Sequence, residues 1–219
     1  MSFTRGSFDK ELVNLKVTLE QMGQDTISYF EEVLTAFFEQ DAETARALMQ
    51  KDEAINKQED IIQERAIMLI ARQQPVASDL RKIICALKIA NDIERIADFA
   101  VNVCKSTIRL EKGGNLDFKT INKMAELSLK MFAETLNAYM EEDAAKAKVS
   151  AETDDEIDKL HSTTLEKLMR ETSQFPNSIN QLIQIAYVSR YMERVADHVT
   201  NIAEQVIYLV KGERFTLNN

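Results

Sequence analysis

The stretch Glu94–Asn102 reads ERIADFAVN, and a second copy, ERVADHVTN, runs from Glu193 to Asn201. Each copy sets two acids and an amide at spacings of four inside an apolar run. Four residues along an α-helix turn through about 40° and rise about 6 Å, so each trio follows one edge of a helix. Glu94, Asp98 and Asn102 form one row of oxygen donors, and Glu193, Asp197 and Asn201 form the other. The adjacent row of Ile83, Ala90, Ile93, Ala97 and Ala100 is apolar, which places the acids at the margin of a buried face. Acids at this spacing repel one another mildly, so a chain that writes the pattern twice needs a reason for it.

The duplication extends well beyond these stretches. At an offset of 102, Met22 matches Met124, Phe30 matches Phe132, Asp41 matches Asp143, Asp52 matches Asp154 and Ile55 matches Ile157. Past the proline-containing turn of each half the offset becomes 99, pairing Ile84 with Ile183, Glu94 with Glu193, Asp98 with Asp197 and Gly113 with Gly212. A period near 100 residues is too long for a solenoid unit and marks a duplicated helical unit.

Gly 5 and Pro 2 in 219 residues leave few turns, and a chain 45% hydrophobic and 29% charged with this composition favours long helices. Six are expected. The first spans about Phe8 to Gln40, with Leu12, Leu15, Leu19, Met22, Phe30, Val33 and Phe37 on one face. The second opens at an Asp41 cap and carries Leu48, Ile55, Ile62, Ala66 and Leu69 until Pro75 ends it. The third runs from a Ser78 cap to Lys112, stopped by Gly113 and Gly114. The second half repeats this: about Asp117 to Glu142, then a helix opened by Asp143 that stops before SQFPNS, then Ser178 to Lys211 before Gly212. The tail ERFTLNN reads as loosely held. Short connections make neighbouring helices antiparallel. The expected fold is all-α: two three-helix bundles, residues 1–114 and 115–219, related by a pseudo-twofold axis and packed together.

A net charge of -9 and a pI near 4.9 argue against nucleic-acid or anionic-membrane binding. No apolar run reaches the roughly 18 residues of a membrane span, and MSFTRGSFDK lacks a secretory h-region. Cys85 and Cys104 fall on one helix about 28 Å apart, too far to bridge, and free thiols fit a cytoplasmic setting. Nucleotide and acyl-transfer motifs are missing from the sequence.

Antiparallel pairing about the turns at 75–76 and 175–176 sets the second helix level with the third. Asp52 and Asn56 then stand beside Asp98 and Glu94, while Asp154 and Asp158 stand beside Asp197 and Glu193. Acids gathered beside a core need arginine pairs, protons or a cation. Arg95 and Arg194 follow the glutamates and can snorkel back. If a cation binds, oxygen donors suit Mg, Mn, Ca or Fe more than Zn. Asp158-x-x-His161 half-matches a di-iron motif, with Glu59 at the corresponding first-half position; His198 is placed to tune or extend the second site. A metal-dependent enzyme, an oxidase or phosphatase, and a metal-free scaffold with solvated acids are the competing readings.

The segments QPVASDLRKI, LKIANDIERIADFAVNV and SRYMERVADHVTNIAE closely resemble the phosphate uptake regulator (PhoU) family across essentially the whole chain. The family's E-R-I-G-D carries a glycine where this chain has Ala97 and Ala196, which keeps a small residue at the helix contact. The resemblance implies a cytoplasmic, non-enzymatic negative regulator of phosphate uptake and the phosphate-starvation response. It also implies a homodimer that acts between the ATPase subunit of a phosphate ABC transporter and a sensor histidine kinase. Metal ions (Fe, Mn, Mg or Zn) are implied at Glu94, Asp98, Glu193 and Asp197, supported by Asp52, Asp154 and Asp158. Asn56 stands where the second half has Asp158, so the first site carries less charge.

Overall fold

The computed structural model describes residues 5–110, 117–174 and 179–217, which form helices, the turns and short connections between them, and a short segment after the last helix. The helices are α1 (Arg5–Phe38), α2 (Ala42–Leu48), α3 (Asp52–Gln73), α4 (Ala77–Arg109), α5 (Lys119–Glu141), α6 (Ala144–Ala151), α7 (Asp154–Gln174) and α8 (Ile179–Lys211). Six are long, as expected. The second and fifth expected helices are each divided, which adds short α2 and α6 of 7 and 8 residues.

Both short helices start where the sequence places a cap. Asp41 Oδ1 accepts from the backbone N–H groups of Glu43 and Thr44 at 3.0 and 3.1 Å, and Asp143 Oδ1 from those of Ala145 and Lys146 at 2.9 and 3.0 Å. The chain then turns and restarts at Asp52 and Asp154. Neither break contains Gly or Pro, and Lys51, at the N-terminus of α3, offers no side-chain cap, so local sequence gives no warning. Leu48 and Ile55 are both buried across the first break.

The scarcity of glycine has a counterpart in the backbone. Gln40, Gln74 and Glu142 take left-handed φ values of 53°, 45° and 53° at helix C-termini, positions that glycine usually fills. Gln74 precedes Pro75 and leaves the helix there, as its position requires. Val76 rather than Ser78 is the N-cap of α4, and it makes no side-chain capping bond. α5 begins at Lys119, whose N–H is received by Asp117 Oδ1 at 3.1 Å. Gly212, at φ 77°, ends α8 where expected. The expected Gly113–Gly114 stop and Ser178 cap lie outside the described residues.

The two 33-residue helices α4 and α8 pack against each other at the centre, and the other helices surround them. Ile89, Ile93, Ile96, Ala97 and Ala100 from α4 and Val195, Ala196, Val199, Ile202 and Ala203 from α8 are all 0% exposed. Burying each of the larger of these side chains contributes about 1.5–3 kcal/mol. α1 reaches α5 of the other repeat at Gly23, where a Cβ would sit 2.4 Å from Leu136 Cδ1. The two repeats thus share one continuous core. Cys85 and Cys104 are free and buried on α4, and burial raises both thiols to about 11.

The tail departs from expectation. Leu217 N–H donates to Glu204 Oε1 at 2.7 Å, Lys211 lies over the Phe215 ring, and Arg214 lies over Tyr208. Residues 213–217 therefore fold back along α8.

Candidate metal centre

The α7–α8 pair brings together the second set of acids. Asp154, the first residue of α7, is 7% exposed, and Glu193 of α8 is 9% exposed. Burial pushes Asp154 up to about 7, helped by the negative charges of Asp158, Asp197 and Glu193. Thr200, beside it, offsets this in part, at a geometry short of a full hydrogen bond. Glu193 is likewise raised by burial and then by Asp197, with Asp158 adding to it and Arg190 and Arg194 opposing. The four carboxylates are therefore electrostatic neighbours at the level that antiparallel pairing predicts.

Two of their oxygens, Asp154 Oδ1 and Glu193 Oε2, are buried without a hydrogen-bond partner. The remaining charge is met by arginine. Arg190 bonds Glu193 Oε1, Arg194 Nη1 bonds Asp197 Oδ2 at 3.0 Å, and Arg194 Nε stands 3.7 Å from Glu193 Oε2.

The α3–α4 pair builds the first set in a wetter place. Burial raises Glu94, and Asp98, Glu59 and Asp52 add to the shift while Arg95 opposes it. Arg95 Nη1 bonds Asp98 Oδ2 at 3.1 Å, and its Nε lies 3.6 Å from Glu94 Oε2, so both repeats use the same arginine device. Asp52 and Asn56 are half-buried. Glu59 joins this cluster; it lies about two helical turns after Asp52 on the same face of α3, and that spacing was the available signal. Arg190 was missed because it lies a turn before the motif.

The asparagines bond elsewhere. Asn102 accepts from Lys105 at 3.2 Å, and Asn201 donates to Asp92 of α4 at 3.4 Å. Eight residues along a helix turn through about 80°, which carries the third member of each row away from the first. His198 also departs from its expected place. Its Nδ1 lies 2.8 Å from Asp92 Oδ1, across the repeat boundary, rather than extending the second site. The mirror positions of Asp92 and His198 are Tyr191 and Phe99, which stack at 6.1 Å, so a polar pair on one side of the pseudo-twofold axis faces an aromatic pair on the other. His161 Nδ1 bonds Ser189 Oγ at 2.7 Å near Asp158 and Arg190.

Among the described residues, no group of three or more His, Cys, Asp or Glu side chains is arranged so as to hold a metal ion. The donor chemistry nevertheless fits a cation: the second cluster has two buried, unpartnered carboxylate oxygens and two further carboxylates beside them. The arginines are its competitors. No described helix is long and apolar enough to cross a membrane.

A PhoU domain model matches this chain twice, over residues 19–107 and 121–206, once for each repeat. A Clostridium acetobutylicum protein named phosphate-specific transport system accessory protein PhoU homolog is 34% identical, the match covering 99% of this chain and 100% of that one. A Streptococcus pneumoniae protein of the same name is 32% identical over 98% of this chain and 100% of its own length. The crystal structure of the phosphate transport system regulatory protein PhoU from Streptococcus pneumoniae superposes with a TM-score of 0.90 at 30% identity, covering 96% of this chain and 100% of that one. That of PhoU from Pseudomonas aeruginosa gives 0.90 at 34%, covering 94% and 100%. Two matched repeats, full-length relatives and a shared fold agree: the chain belongs to the PhoU family.

Proposed function

We propose that this chain is a cytoplasmic negative regulator of phosphate uptake, a non-enzymatic adaptor between the ATPase subunit of a phosphate ABC transporter and a sensor histidine kinase. The observation that carries this reading is its full-length similarity to proteins named as accessory to phosphate-specific transport. A pull-down from phosphate-replete cells, repeated on starvation, tests it. Recovery of the transporter ATPase and a histidine kinase, changed by starvation, is expected; recovery of neither contradicts it.

The adaptor holds metal ions at its carboxylate clusters, the second more firmly than the first. Glu193, Asp197, Asp154 and Asp158 would hold the ion of the second cluster, and Glu94, Asp98 and Asp52, with Glu59, that of the first. The unpartnered oxygens of Asp154 and Glu193 support this. A bound cation would supply positive charge where carboxylates now crowd, tying α7 to α8 and α3 to α4. Arg194 and Arg95 hold the acids apart and oriented until then. The protein acts as a homodimer, which sedimentation analysis checks.

A further inference from the structure

Charge is spread unevenly over the second repeat. In a chain that is 29% charged, no Asp, Glu, Lys or Arg stands between Glu171 and Arg190. The first part of α8 falls in this stretch and presents Ile179, Ile183 and Tyr187 to solvent, 41%, 43% and 47% exposed. Spacings of four put all three on one helix face. The stripe continues onto α4, because Tyr187 stacks on Tyr191 at 6.4 Å and Tyr191 on Phe99 at 6.1 Å. Tyr191 also lies beside Ser106 and Arg109, so its ring is held against α4. Exposed apolar side chains elsewhere are set among charges, as Ile67 and Met68 of α3 are beside Glu64 and Arg65.

The first repeat provides an internal control. At the offset of 99, Asn180, Gln181 and Tyr187 become Arg81, Lys82 and Lys88, while Ile183 becomes Ile84. Lys82 and Lys88 are exposed. The duplicated scaffold therefore accepts cations at these positions, and the fold does not require the uncharged set. Single exposed apolar residues are normal on a protein surface. A charge-free stripe that includes tyrosine has instead the composition of an interface core.

We propose that this face is where two copies of the chain meet, each laying its Ile179, Ile183 and Tyr187 against the other's across a twofold axis. The inference rests on the homodimer reading above and adds the surface that forms it. Charge selects the occupant. In a twofold interface both copies contribute the same patch, so a charge near the axis meets its own sign. A patch emptied of charge permits self-pairing. A different partner would impose no such demand, and charge is a usual means of choosing one. Exposed Lys105 and Arg109 of α4 flank the stripe, at a rim where water screens them. The matching face of the first repeat keeps Arg81, Lys82 and Lys88 and would repel its own copy, so the dimer forms through the second repeat.

Sedimentation equilibrium of the full chain over a range of concentrations tests the proposal. The natural chain should form a dimer. Tyr187→Lys installs the first repeat's own side chain at the matching place; it should keep its helical circular dichroism and raise the dimer dissociation constant about tenfold or more. Ile183→Glu, at a second exposed point of the stripe, should do the same independently. Ile67→Lys, on the charged surface of α3, should leave the constant unchanged. A dimer indifferent to Tyr187→Lys or to Ile183→Glu, or weakened as much by Ile67→Lys, overturns the assigned face and leaves a homodimer standing. A natural chain that stays monomeric overturns the face and the homodimer together.

Discussion

The two carboxylate clusters share a scaffold and a motif, yet their surroundings differ. In the second, Asp154 is buried at the first turn of α7 and pushed up to about 7 by burial and three acids. In the first, Asp52 at the same position is half-buried, and Asn56 stands where the second has Asp158. The helix pair carries the motif, but the depth of one aspartate and the count of its neighbours set the local electrostatics. The face at Tyr187 reverses the asymmetry, since there the first repeat is charged and the second is not. Duplication has kept the core alike and allowed the polar sites to diverge.

The core should therefore respond symmetrically. Ala97 and Ala196 are both 0% exposed at matching places on α4 and α8. Ala97→Leu and Ala196→Leu are each expected to cost about 1–3 kcal/mol or more by overpacking, in urea unfolding of the metal-free protein. A large inequality between them would break the claim of equivalent cores.

The acid clusters should respond asymmetrically. The unfolded chain releases the Asp154 proton near 3.8 and the folded chain near 7, so the folded state binds more protons between these values. Stability of the metal-free protein contributed by this group is then present at low pH and lost as pH rises through about 7. Asp154→Asn should flatten that loss and raise stability at pH 8 by about 1–2 kcal/mol, water at the cluster's open side screening the rest. Glu94→Gln should act in the same direction and less, since Glu94 is more exposed. A larger gain at Glu94 would reverse the ranking.

Arg194 is 45% exposed and Arg95 53% exposed, so their ion pairs contribute little to stability. Arg194→Met and Arg95→Met should each change unfolding by less than about 1 kcal/mol, while metal affinity rises in titration, more for Arg194. The smallest effect is expected at the repeat boundary. His198→Phe copies its mirror residue Phe99 and loses the bond to Asp92; a cost of about 1 kcal/mol or less should appear in thermal unfolding.

Much of this molecule is legible in its sequence, because helical periodicity and an internal repeat are long-range signals. Antiparallel pairing about the turns at 75–76 and 175–176 sets Asp52 level with Asp98 and Asp154 level with Asp197 before any coordinates, and the offsets of 102 and 99 relate the two sets. The breaks after Leu48 and Ala151 were hidden because tertiary packing makes them, without Gly or Pro. The asparagine rows were overread, since a step of four residues drifts around the helix and Asn102 and Asn201 end on other partners. His198 was assigned to its own repeat because the contact it makes, to Asp92, spans 106 residues.

The central claim is that these clusters hold cations and that the second holds them more firmly. Elemental analysis of protein purified without chelator, offered Fe, Mn, Mg and Zn, tests it most directly when three chains are compared: the natural one, Glu193→Ala/Asp197→Ala and Glu94→Ala/Asp98→Ala. The account predicts bound metal in the natural chain, most of it lost in the first variant and a smaller share in the second. A natural chain that remains metal-free, or a larger loss from the Glu94/Asp98 variant, would contradict it.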